Sequence, residues 1–113
     1  MLDWEDTRST LQFTNKRRFP RFEVDRPIWI VQNWPDAPSL SIPGRCRVIG
    51  EGGLGAMMSE QFRLGEVVSL DLGSRVRVYA AVRSQRGFLH GFEFVLVRDG
   101  QLESIKRLCR PLV

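Results

Sequence analysis

The sequence predicts a mainly-β domain, an antiparallel barrel closed by one C-terminal helix. Three observations carry that prediction: short runs that alternate apolar and polar residues, regular turn signals between them, and a single helical stripe near the end of the chain. With 113 residues, 42% hydrophobic and 27% charged, the chain has room for one ordinary globular domain and no second. Closing the sheet removes the exposed edges that many short strands would otherwise present.

Residues 1–15 mix charge with isolated apolar side chains and show no sustained period. They are expected to form a tail or a short, loosely held helix ahead of a domain spanning 16–113. Residues 26–33, RPIWIVQN, are a β-rich apolar run that opens on a proline, which a strand accepts at its first residue. The next stretch, NWPDAPSLSIPG, holds three prolines and reads as a loop. A second strand is expected over 45–49. The glycines Gly50, Gly52, Gly53 and Gly55 then mark a bend into a third strand at Ala56, Met57 and Met58.

In residues 67–72, Val68, Leu70 and Leu72 share one face and Ser69 and Asp71 the other, the period of a half-buried strand. Gly73 and Ser74 turn the chain. Val76, Val78, Ala80 and Val82 then face the core, alternating with Arg75, Arg77, Tyr79 and Arg83. A hairpin through Gln85, Arg86 and Gly87 returns as residues 88–97. Phe88, His90, Phe92, Phe94 and Leu96 lie on one side of that run, and small Gly91 leaves room for a close approach. Leu102, Ile105, Leu108 and Cys109 form the helical stripe, with Asp99 as the expected N-cap and Pro111 beyond its end.

Cys46 and Cys109 are the two cysteines, with no CxxC and a single histidine, so neither a disulfide framework nor a zinc site is signalled. The N-terminal residues lack an apolar run, and the expectation is a soluble, cytoplasmic protein with reduced thiols and no membrane insertion. A formal charge of +4 and a pI near 9.8 favour anionic partners without choosing among them. Of 17 basic residues all but Lys16 and Lys106 are arginine, the planar donor suited to phosphate oxygens and guanine edges.

Two segments stand out as candidate sites. In KRRFPRF, residues 16–22, four cations crowd six positions, and Pro20 stiffens the backbone between Arg18 and Arg21. A partly fixed turn of this kind aims guanidinium planes at an anion with less entropy lost than a flexible tail, although a solvated basic linker has the same composition. The glycine-rich bend IGEGGLG exposes backbone N–H groups, yet it is neither a Walker loop nor a dinucleotide fingerprint, and a barrel corner would use the same glycines. No catalytic pattern emerges: the lone His90 lies in an apolar strand, and no carboxylate pair or Cys-His arrangement has a usable spacing. Trp29 reads as core, leaving Trp34 as a possible surface contact. The sequence therefore points to a binding protein, not an enzyme.

The order of Arg17-Arg18-Phe19-Pro20-Arg21, an IWIV strand, a glycine-rich motif, two long strands and a final amphipathic helix resembles the PilZ domain from Lys16 to Val113. That resemblance implies a six-stranded antiparallel β-barrel with a C-terminal α-helix. It also implies binding of the bacterial second messenger cyclic di-GMP through RxxxR on an N-terminal switch and [D/N]xSxxG on the barrel. Carried onto this chain, it gives Arg17, Arg18 and Arg21 roles on phosphates and guanine faces, with their segment ordering over the ligand. The second motif departs from the pattern. With Gly53 as its last glycine, Val48 stands where Asp or Asn is expected and Gly50 where Ser is expected. Losing a charge-assisted pair at Val48 costs on the order of 1–3 kcal/mol, about ten- to a hundredfold in affinity.

The ligand implied is cyclic di-GMP, with no cofactor or metal and with a downstream protein partner. The alternative is a PilZ-like interaction module that has lost nucleotide binding. A barrel binding single-stranded nucleic acid is disfavoured, because Arg75, Arg77 and Arg83 alternate as a solvated strand face does and no run of aromatics lies beside them.

Overall fold

In the computed structural model, which describes residues 20–32 and 39–109, six antiparallel strands close into a barrel and one helix follows. The strands are β1 (Arg21–Gln32), β2 (Leu40–Gly50), β3 (Gly53–Met58), β4 (Val67–Asp71), β5 (Arg77–Arg86) and β6 (Leu89–Val95), and the helix is α1 (Asp99–Leu108). Their order around the barrel is β1-β2-β3-β6-β5-β4, closed by β4 pairing back onto β1. Every ladder is antiparallel.

The alternation read in the sequence sets which side chains point inward. Ile28 and Ile30 of β1, Val68 and Leu70 of β4, Val78, Ala80 and Val82 of β5, and Phe92 and Phe94 of β6 are buried together. His90 is buried with them. Its Nε2 accepts the Phe62 N–H at 3.0 Å and its Nδ1 lies 2.9 Å from the Phe88 carbonyl, so the proton resides on Nδ1 and both ring nitrogens are satisfied. The Phe62 ring, edge-on to the imidazole at 5.5 Å, is buried from the β3–β4 connection, which is how that long crossover is pinned to the barrel.

Several boundaries differ from those expected. β1 begins at Arg21, five residues before the expected run, because the pairing of Arg21 with Gly50 extends the ladder past Pro27. β2 starts inside the expected loop and includes Pro43. Pro43 sits opposite Trp29, and its carbonyl accepts the Ser59 N–H just beyond the last β3 rung, so the missing proline N–H faces a place where the ladder has already ended. Trp29 is not core: it alternates with buried Ile28 and Ile30 and stands half-buried on the outer wall. The glycine bend shrinks to Glu51 and Gly52, since Gly50 already belongs to β2, and Gly53 and Gly55 to β3.

β6 ends before Leu96, which takes a left-handed φ of 55° and is 78% exposed instead of core-facing. Phe88 leaves the core face as well, because Arg86 pairs with Leu89 and Gly87–Phe88 form the two-residue turn. The helix is capped one residue earlier than expected. Arg98 is extended, its N–H donates to Gln101 Oε1 at 2.8 Å, and Asp99 becomes a first-turn residue whose charge complements the helix dipole. Gln101 Nε2 donates to the Arg77 carbonyl at 2.7 Å and Ile105 is fully buried, which together seat α1 on the barrel.

Two ladders carry irregularities that matter to the site. In the β2–β3 ladder, Cys46 pairs with Ala56 and Val48 with Gly55, which leaves Arg47 as an extra residue. Opposite the same point, Val24 and Asp25 of β1 face Arg47 alone. Cys46 and Ile49 both point into the core, so the bulge puts Arg47 and Val48 together on the outer side.

Candidate functional site

Four of the six residues expected to bind ligand fall on one corner of the outer wall, where β1, β2 and β3 meet. Arg17 and Arg18 lie outside the described residues. Arg21 opens β1, with Phe22 packed against the core behind it, and so presents an outward side chain opposite Gly50. The two are in close contact: a Cβ built on Gly50 would stand 3.0 Å from Arg21 Cγ and 2.9 Å from the Pro20 carbonyl oxygen. Gly50 is therefore the floor on which the arginine segment enters the barrel.

Two rungs along, Glu23 stands opposite Val48, and Val48 stands opposite Gly55 on its other side. Gly55 in turn pairs with Gly91, so the row continues across β3 and β6 without a side chain. Gly53 makes a different close approach from the one expected. Its missing Cβ would lie 2.1 Å from the Phe92 carbonyl oxygen, so the space is taken by the β6 backbone.

The electrostatics of this corner are basic at its rim. Arg47 is exposed beside Val48. Arg45 Nε binds Asp25 Oδ1 at 2.7 Å, and this contact holds the Asp25 carboxyl below the usual carboxylate range, with the Arg47 charge adding to the effect. Glu51 looks elsewhere. It is half-buried in the bend, and its charge acts on Cys109 at the end of α1, whose thiol burial and then Glu51 push up to about 11.

Sequence reasoning missed Glu23 and Arg47. Glu23 acquires its place only through cross-strand register, and Arg47 only through the bulge; neither leaves a local pattern to read. Among the described residues no cluster of His, Cys, Asp and Glu could hold a metal ion, and no helix is long and apolar enough to cross a membrane. A separate groove of about 500 Å³, lined in part by Val31, Val67, Ser69, Arg77, Tyr79 and Gln101, lies on the β1–β4–β5 wall and contains none of the expected site residues.

The fold and this corner define a class: a six-stranded antiparallel barrel with one C-terminal helix and an arginine-and-glycine patch where the start of its first strand meets the end of its second. The chain belongs to the PilZ domain family, whose sequence model matches residues 15–110. No curated protein matches it. Among solved structures it is similar to YcgR of Escherichia coli in complex with c-di-GMP, with a TM-score of 0.57 and 20% identity over 82% of this chain. The chain spans 44% of that YcgR chain. The PilZ domain of YcgR from Escherichia coli with c-di-GMP gives a TM-score of 0.62 at 15% identity, covering 83% of this chain and 88% of that one. The PilZ domain of CeSA from a cellulose-synthesizing bacterium gives 0.60 at 17%, covering 80% and 94% respectively.

Proposed function

We propose that this chain is a cyclic di-GMP receptor in which Arg17, Arg18 and Arg21 clamp the nucleotide against the outer corner of β1 and β2. The observation that carries the reading is the seating of Arg21 on Gly50, which joins the arginine motif to the second motif's position on the barrel. Membership of the PilZ family supports it, as does the fold shared with two YcgR structures with c-di-GMP. In this reading residues 16–113 act as the receptor domain and 1–15 as a tail. The protein works in the cytoplasm, without catalysis or a cofactor, and the ordering of its arginine segment is what a downstream protein partner detects.

Guanidinium groups supply most of the affinity, because Val48 offers no acceptor and Gly50 no hydroxyl. Titration calorimetry of the full chain with cyclic di-GMP at moderate salt should show binding that Arg17→Ala or Arg21→Ala removes. Absence of heat at high micromolar ligand would sink the reading.

Val48 and Gly50 favour a second reading, an interaction module that has lost nucleotide binding. Restoring the motif at both positions is a poor discriminator, since a Ser side chain at Gly50 would press on Pro20 and Arg21. Val48→Asp alone is cleaner. Binding that appears only in this variant would establish the second reading, and binding by the native chain rejects it.

A further inference from the structure

We propose that Glu23 supplies the carboxylate missing at Val48, accepting hydrogen bonds from the N1–H and 2-amino group of a guanine held beneath Arg21. This inference deepens the function proposed above and rests on it. Register carries the argument. Glu23 is directly opposite Val48 on the β1–β2 ladder, and such a pair sets its Cβ atoms about 4.5–5.5 Å apart on one face of the sheet. That face is the outer wall, because Phe22 and Val24 on either side of Glu23 pack inward while Glu23 itself is exposed.

Reach is sufficient as well. Glutamate carries its carboxylate one methylene further from the backbone than aspartate does, and adjacent strands lie only about 4.8 Å apart. From β1, the Glu23 oxygens can therefore occupy the space above Val48 that an aspartate on β2 would fill. Beyond Val48 the row continues as Gly55 and Gly91, which leaves no side chain to block a planar base lying over it.

The other acids on the barrel strands are already occupied, and so is Glu66 just before β4. Asp25 is held by Arg45, Asp71 pairs with Arg77 and accepts the Gly73 N–H, Glu93 pairs with Arg83, and Glu66 accepts the Arg63 N–H. Glu23 forms no hydrogen bond or ion pair among the described residues, although Arg21 shares its face two positions earlier. Glu51, the acid nearest in sequence to the altered motif, acts on Cys109 at the helix and does not share the Val48 rung. A carboxylate is acceptor-only when ionised and so matches the two parallel donors of guanine.

The test is calorimetry of the full chain with cyclic di-GMP and with cyclic di-inosine monophosphate, which lacks the 2-amino donor. Glu23→Ala and Glu23→Gln should each weaken cyclic di-GMP binding about ten- to a hundredfold and shrink the preference for guanine over hypoxanthine. Adding Val48→Asp to Glu23→Ala should restore both affinity and preference. Glu23 is exposed, so the variants should melt at the native midpoint. Native binding that Glu23→Ala leaves within twofold, with an unchanged guanine preference, overturns this inference alone. A native chain that binds no cyclic di-GMP overturns the parent function together with it.

Discussion

At Gly53 the need for glycine comes from contact, not from a turn: its φ is not left-handed, yet the space for a Cβ is filled by the Phe92 carbonyl. Backbone atoms cannot swing aside as a flexible side chain can. Gly53→Ala should therefore force β3 away from β6 and cost about 1–3 kcal/mol, read as a lower urea midpoint with an unchanged slope. Gly50 is the milder case, because one of its two near neighbours is an arginine stem that can shift. At this scale, legibility in the sequence divided cleanly. The arginines of the motif and the glycines announce themselves by type and local spacing. Glu23 does not, since its position opposite Val48 depends on a pairing between residues 25 apart in the chain.

Among the elements, β4 and the core-facing part of β5 were readable because strict alternation survives in them, and α1 because its stripe returns every three or four residues. β2 was harder for two physical reasons: Pro43 reads as a loop residue until its free side is seen to face a finished ladder, and the bulge at Arg47 breaks the period of two. The cap of α1 shifted because Gln101, not Asp99, satisfies the free N–H at the entry to the helix. α1 itself rests on few attachments, chiefly Ile105 in the core and Gln101 on the Arg77 carbonyl. Ile105→Ala should cost about 2–5 kcal/mol by opening a cavity beneath the helix, and amide exchange should rise first in α1 while the barrel ladders stay protected.

For the whole molecule, three buried titratable groups set a pH window. Desolvation lowers the His90 pKa from its ordinary 6.5, with the Phe88 carbonyl opposing, so the fold prefers the neutral ring. The unfolded chain then binds the extra proton as pH falls, and His90's contribution is present above about pH 6.5 and lost below it. The thiols act in the opposite sense. Burial pushes Cys46 up to about 12 and Cys109 up to about 11, so the unfolded chain ionises first and stability declines as pH rises beyond the ordinary thiol value of 9.0. Denaturant titrations across pH should give a plateau between these limits, and His90→Phe should flatten the acid limb even if it lowers the plateau. A native acid limb that does not respond to loss of His90 would contradict this assignment.

β1 meets its two neighbours unequally: it is laddered to β2 from Arg21–Gly50 through Gln32–Leu40, but to β4 only at Trp29, Ile30 and Val31. Mechanically, the strand is a zipper whose slider sits at Arg21. Tension applied to the N-terminal segment loads the rungs one at a time, beginning with Arg21–Gly50, and reaches the barrel's closing seam only after most of the strand has peeled. A molecule that pins Arg21 at that corner therefore locks the slider and keeps the load away from the barrel's closing seam without touching it.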